Sequence, residues 1–200
     1  MSELSGYAII ILAAGNSSRL GEPKQLLVYQ NKTLIRHIAE AAIEAKSAAV
    51  IVVTGSNAPS IEKELHSLSC HSVHNPDWES GMASSIVVGT DELMRTHPNI
   101  AGAIYAVSDQ PFVSVALFDA LINKALEKNS GIVASEYDNT FGTPVLFSNK
   151  YFPALLTLSG AEGAKKLVKK FADEATSIPF PLGSVDIDTP DDYQKLLRNS

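Results

Sequence analysis

The chain of 200 residues is 45% hydrophobic and 19% charged, with a formal net charge of −6. That length supports one substantial core, so a single domain over residues 1–200 is expected, and the interspersed charges leave no basic face for a nucleic acid. A single cysteine, Cys70, excludes an intramolecular disulfide and fits a reducing compartment.

The opening stretch MSELSGYAIIILAAG has no basic start, and its apolar run is too short for a membrane span and poorly shaped for a signal peptide. A cytoplasmic protein without a membrane partner is expected. Tyr7–Ala13 reads as a strand buried on both faces. Over Thr33–Ala45 the apolar residues Leu34, Ile38, Ala41, Ala42 and Ala45 share one helical face. Ala48–Val53 is a second buried strand, residues 59–68 a helix opened by Pro59, and residues 71–73 a short strand. Met82–Leu93 and Ser114–Lys128 follow as helices on either side of a buried strand at Ala103–Val107. Repeated strand–helix units of this length predict a mostly parallel sheet with helices on both faces. Beyond residue 130, GIVAS and GTPVLF are strands joined by a turn in YDNTFG. Residues 149–157 and 162–172 suit helices, and Pro190, Asp191 and Asp192 suit the start of a last one.

The loop after the first strand carries the chemistry. In an open α/β sheet, ligands sit beyond the carboxyl ends of the strands, so Ala13–Lys24 should border the site. Gly15 lets backbone N–H groups approach an anion, and Ala13, Ala14, Ser17 and Ser18 do not obstruct that approach. Arg19 offers a planar fork for phosphate oxygens and Lys24 a mobile point charge. The pattern suits a ligand with several negative charges, such as a triphosphate. Asp109 falls at the carboxyl end of a central strand, where a carboxylate can hold Mg2+ beside phosphate oxygens, or can cap a turn or helix. Asp186 and Asp188 alternate along what reads as a short strand and so point to one side. They suit either metal binding or a capping, solvated role. Cys70, His71 and His74 read as polar residues of a short strand. Trp78 could stack on a base or pack a loop, and Tyr137 and Phe141 could line an acceptor pocket or anchor a turn.

The segment LAAGNSSRLGEPKQLL at 12–27 closely resembles the signature L-A-A-G-x-S-x-R-[ML]-G-x-x-K-x-L of the MobA-like nucleotidyltransferases. Its Ala-Ala-Gly form and trailing KQLL resemble the molybdenum cofactor cytidylyltransferase branch most. Further similar stretches are NPDWESGMASSI at 75–86, SDQPFV at 108–113, GTPVLF at 142–147 and DIDTPDDY at 186–193. The resemblance implies a Rossmann-like, three-layer nucleotide-diphospho-sugar transferase fold. It implies that Leu12, Ala13, Ala14 and Gly15 hold base and phosphates, with Ser80 and Gly81 near base and ribose. Arg19 and Lys24 would meet the triphosphate and, with Asp109, carry catalysis. Asp109 would bind Mg2+, with a second metal contact from Asp186 or Asp188, and Gln110, Pro111 and Gly142 would border the acceptor.

The reaction implied is transfer of CMP from CTP to the phosphate of the molybdenum–pterin cofactor, releasing pyrophosphate, with a molybdoenzyme or its chaperone as the recipient of the product. An acceptor phosphate is already ionised near neutral pH, so no general base is required. The alternatives are a nucleotidyltransferase for a sugar phosphate or other phosphorylated small molecule, and a non-catalytic homologue that binds nucleotide or cofactor. The chain departs from the family's G-D-x-G-A-R at GAEGAK, where Ala161 replaces the Asp and Lys165 the Arg. On a helix, the adjacent Glu162 would point about 100° away from the missing carboxylate.

Overall fold

A computed structural model describes residues 6–17, 20–185 and 187–198. Seven strands, β1 (Tyr7–Leu12), β2 (Ala49–Thr54), β3 (His71–His74), β4 (Gly102–Val107), β5 (Ile132–Tyr137), β6 (Thr140–Ser148) and β7 (Ala175–Pro179), form one sheet in the order 3-2-1-4-6-5-7. The first four pair in parallel, β6 runs antiparallel to both β4 and β5, and β7 returns parallel to β5. The sheet is therefore mostly parallel. Helices α1 (Leu34–Glu44), α2 (Ala58–Leu65), α3 (Met82–Thr96), α4 (Val115–Lys128), α5 (Phe152–Leu155), α6 (Lys165–Lys170) and α7 (Pro190–Arg198) complete it.

The central strands are aliphatic because both of their faces are covered. Ile9 and Ile11 of β1 pack with Ile35 and Ile38 of α1, Ile61 of α2, and Phe118 and Leu121 of α4. Their neighbours Ala8, Ile10 and Leu12 point the opposite way, toward Ile86 and Leu93 of α3, Leu155 of α5 and Leu167 of α6. This period of two is what a strand between two helical layers requires. The result is the expected three-layer α/β fold. Among the described residues no helix is long and apolar enough to cross a membrane.

Several boundaries move by a residue or more for local reasons. Thr33 is the cap of α1, its hydroxyl accepting from the Arg36 N–H at 3.4 Å, and Ser114 caps α4 through the Leu117 N–H at 3.3 Å. The helix expected over 149–157 is a 3-10 turn at Asn149–Tyr151 followed by α5, and that expected over 162–172 narrows to α6. Strand β7 goes beyond the sequence reading, and so does a small hairpin pairing Val28–Tyr29 with Lys32–Thr33.

The strand order places the site. From β1 the chain moves outward through β2 and β3, then crosses back to add β4 on the other side of β1. The carboxyl ends of β1 and β4 thus flank the topological switch point, where open α/β sheets bind ligands. Leu12 pairs with Val107 there, and the Ser108 N–H donates to the Leu12 carbonyl at 3.3 Å.

Candidate active site

The loop leaving β1 is built around Gln25, a buried side chain only 2% exposed. Its amide nitrogen donates to the carbonyls of Ala13 at 3.1 Å and Gly15 at 2.8 Å. Both amide hydrogens are used, so reversing the amide would set its oxygen against two carbonyls. By holding two alternate carbonyls, Gln25 fixes the peptide planes of the loop. Its own Oε1 is buried without a partner among the described residues.

That loop forms one wall of a cleft of about 500 Å³. Leu12, Ala14, Gly15 and Asn16 line it from the end of β1 and its loop, and Val107, Ser108 and Asp109 from the end of β4 and the turn after it. Trp78, Glu79, Gly81, Met82 and Ser85 close the opposite side. Trp78 therefore faces the cleft. Ala13 packs into the core at 1% exposure, so its carbonyl rather than its side chain serves the loop. Ser80 is exposed and lies outside this lining, where Ser85 stands instead. Arg19, expected on the triphosphate, lies outside the described residues.

Gly81 is needed where it stands. Its φ is +107°, and a Cβ there would come within 2.4 Å of the Gly160 carbonyl oxygen. The same carbonyl accepts the Ala83 N–H at 3.2 Å, so the GAEGAKK segment abuts the start of α3. Gly81→Ala should cost about 2–3 kcal/mol of stability through backbone strain and this clash, read as a lowered urea midpoint. Ser80→Ala should leave that midpoint nearly unchanged.

At the wall of the cleft, the Lys24 ammonium donates to Asp109 Oδ2 at 2.6 Å and to Asp188 Oδ1 at 2.9 Å. Three separate segments meet here. The Lys24 backbone is tied down by donation from its N–H to Ser17 Oγ at 2.9 Å. Asp109 ends β4. Asp188 is set by its neighbour Ile187, which is fully buried against Leu27, Leu34 and Leu196 and donates its N–H to the Asp109 carbonyl at 3.3 Å. Burial pulls the Lys24 pKa down, but the Asp109 and Asp188 carboxylates outweigh it and leave it raised above 10.5. The ammonium's favourable contribution is thus present below 10.5 and is lost only as pH climbs through the raised folded value.

The expected short strand carrying Asp186 and Asp188 is absent at Ile187 and Asp188, which are irregular, and Asp186 lies outside the described residues. The common direction inferred for the two carboxylates therefore has no strand to rest on. Asp109 and Asp188 offer hard oxygen donors of the kind Mg2+ prefers, and the Lys24 ammonium between them acts as a stand-in cation. Those residues fit a divalent ion completed by phosphate oxygens. His71 instead pairs with Glu92 at 2.9 Å, and no cluster of three or more His, Cys, Asp or Glu gathers for a metal among the described residues.

A second cleft, of about 280 Å³, adjoins the first and shares Met82, Val107 and Asp109 with it. Gln110, Gly142, Tyr137 and Lys165 also line it. Gln110 is buried and joins two segments, donating to the Gly183 carbonyl at 2.7 Å and accepting from Thr143 Oγ1 at 3.2 Å. At Gly142 a Cβ would stand 2.0 Å from the Tyr137 hydroxyl, so only glycine lets that ring lie across the wall. Pro111 is half-buried outside this lining. Phe141 packs against the core. Glu162 pairs with Lys166 and precedes α6, so it does not stand in for the acid absent at Ala161.

The switch point of the sheet thus opens onto a small-residue loop, a lysine and two carboxylates, at the place where α/β proteins of this class bind their ligands. The chain belongs to the MobA-like NTP transferase domain family, which residues 9–175 match. It is 30% identical to nicotine blue oxidoreductase of Paenarthrobacter nicotinovorans, over 94% of this chain and 95% of that protein. It is 28% identical to the purine catabolism protein PucB of Bacillus subtilis, over 97% and 98% of the two chains. Identity to the molybdenum cofactor cytidylyltransferase of Escherichia coli is 23%, over 95% of each. Among solved structures it is similar to Rv0371c of Mycobacterium tuberculosis, with a TM-score of 0.85 and 31% identity over 99% of this chain and 100% of that one. A manganese complex of Rv0371c superposes with a TM-score of 0.81 at 28% identity, over 98% and 100% of the chains.

Proposed function

We propose that this chain is a single-domain cytoplasmic nucleotidyltransferase that moves CMP from CTP to the phosphate of the molybdenum–pterin cofactor and releases pyrophosphate. The observation that carries the transfer reaction is the junction of two clefts at Asp109. The larger receives the nucleoside triphosphate against the Gln25-clamped loop, and the smaller receives the acceptor beside Tyr137 and Gln110. The acceptor phosphate attacks the α-phosphorus, and the bond to the departing pyrophosphate breaks. Both reactants are polyanions, so alignment and charge neutralisation are the main tasks. Asp109 and Asp188 would hold Mg2+, which when bound supplies charge stabilisation to the phosphates. The manganese complex of Rv0371c supports a divalent ion in a related fold. Lys24 and Arg19 would take phosphate oxygens.

Cytidine and the molybdenum–pterin acceptor rest on the similarity to the Escherichia coli cytidylyltransferase. Two other relatives carry names with different chemistry, so the acceptor is the point to test. The experiment is pyrophosphate release by purified protein with Mg2+, molybdenum cofactor and CTP, GTP, ATP or UTP in turn. Release with CTP alone is expected. Release with the nucleotide but only on another phosphorylated acceptor would keep the transferase reading and replace the cofactor. Saturable nucleotide binding without release on any acceptor would overturn transfer and leave a binding protein.

A further inference from the structure

Lys24 has two features that the transfer reaction uses only one at a time. It lines the nucleotide cleft, where a cation would meet phosphate, yet its ammonium is seated on Asp109 and Asp188 at 2.6 and 2.9 Å. A lysine cannot bridge those carboxylates while a divalent ion occupies the same oxygens, because the two cations would repel at contact distance. Resting on the proposed nucleotidyltransferase reading, we infer that Lys24 is the resident counterion of the metal site and exchanges places with the metal when nucleotide arrives. The ammonium then moves from carboxylate to phosphate, and the divalent ion takes the carboxylates.

The local structure permits this exchange with little backbone movement. Lys24 begins a three-residue 3-10 turn, Lys24–Leu26, whose backbone is anchored by the Ser17 hydroxyl and by Gln25. What remains free is a flexible four-carbon stem carrying a point charge. Its side chain is 19% exposed, so the ammonium sits at the cleft wall rather than sealed in the core. The ammonium offsets the charge of two carboxylates at 19% and 34% exposure. The exchange also has a thermodynamic consequence. A metal ion alone must displace the ammonium without giving it a new partner, whereas a metal with nucleotide supplies both partners at once. Metal and nucleotide should therefore bind with positive coupling, each raising the other's affinity by the same factor.

Manganese titration of the full chain without nucleotide, followed by electron paramagnetic resonance, tests the idea independently of activity. If Lys24 keeps the site closed for most of the time, Lys24→Met should bind Mn2+ at least about tenfold more tightly than wild type. Lys165→Met, which removes a charge from the adjoining cleft but not from the carboxylates, should change the affinity less than about twofold. Asp109→Asn should abolish the gain in the Lys24→Met background. Equal affinity in wild type and Lys24→Met, with Asp109→Asn still lowering it, would overturn the exchange and leave the metal site standing. Mn2+ binding indifferent to Asp109→Asn would overturn the site itself. A second readout needs no variant: in wild type labelled with 15N-lysine, the Lys24 ammonium signal should shift as Mg2+ saturates the protein with CTP. A signal that stays in place at saturation would also refute the exchange.

Discussion

Lys24→Ala should lower turnover at least about a hundredfold, the loss expected when a phosphate-facing cation worth about 2–4 kcal/mol leaves the transition state. The geometry gives that lysine no substitute among the described residues lining the larger cleft, where the remaining side chains are apolar, neutral or acidic. The variant should stay folded. Its loop is held by Gln25 through the Ala13 and Gly15 carbonyls, and the contact to Ser17 uses the residue 24 backbone. What changes is the balance at the cleft wall, where Asp109 and Asp188 lose the cation between them. Mg2+ should consequently raise the melting temperature of Lys24→Ala more than that of wild type. Steady-state pyrophosphate release and a thermal scan with and without Mg2+ check the two halves separately. Turnover equal to wild type would remove Lys24 from the transition state.

How much of this was legible in the residues follows from what each element asks of its sequence. Strands β1, β2 and β4 are buried on both faces, and continuous aliphatic runs such as Tyr7–Leu12 announce that requirement without any partner being known. The hairpin between β5 and β6 was equally plain, because Asp138 and Asn139 both adopt positive φ, a conformation those residue types tolerate. Strand β7 was not legible. It is a half-buried edge strand ending at Pro179, so it shows neither a full apolar run nor clean alternation. The helix at residues 149–157 failed differently, since its apolar pattern is shared between a 3-10 turn and one turn of α-helix.

The site divides along the same line. Gly15, Lys24 and Asp109 were marked by their place just after a strand, a rule that works one segment at a time. Contacts between segments left no such mark. Lys24 meets Asp109 across 85 positions and Asp188 across 164, and nothing local marks Asp188 as an acid that turns toward the lysine. Its place is set by Ile187, whose burial beside Leu27 and Leu34 carries Asp188 to Lys24. Gln25 carries little local signal, because a glutamine between Lys24 and Leu26 suits an ordinary solvated turn. The signal available was an uncharged polar residue directly before the apolar Leu26 and Leu27, which in a buried turn must find backbone partners. Tyr137 depended on Gly142, five residues on and across a hairpin, to make room for its hydroxyl.

Asp109→Ala should be the most damaging single change, with turnover down about a thousandfold or more, whereas Asp188→Ala should cost roughly ten- to a hundredfold. The ranking comes from position rather than from chemical type. Asp109 lines both clefts and so, on the proposed function, stands where donor and acceptor phosphates would meet, while Asp188 belongs to neither lining and borders the site at the Lys24 ammonium. Asp188 is also the more open of the two, at 34% against 19%, so water can replace more of what it supplies. In either variant one carboxylate still holds Lys24, and stability should fall by only about 1 kcal/mol. A Mg2+ titration of turnover separates the roles. Excess Mg2+ should restore much of the Asp188→Ala activity, because the loss there is in metal affinity, and should restore little to Asp109→Ala, because the loss is in alignment of both substrates. Rescue of Asp109→Ala but not of Asp188→Ala would reverse the assignment and make the C-terminal carboxylate the principal one.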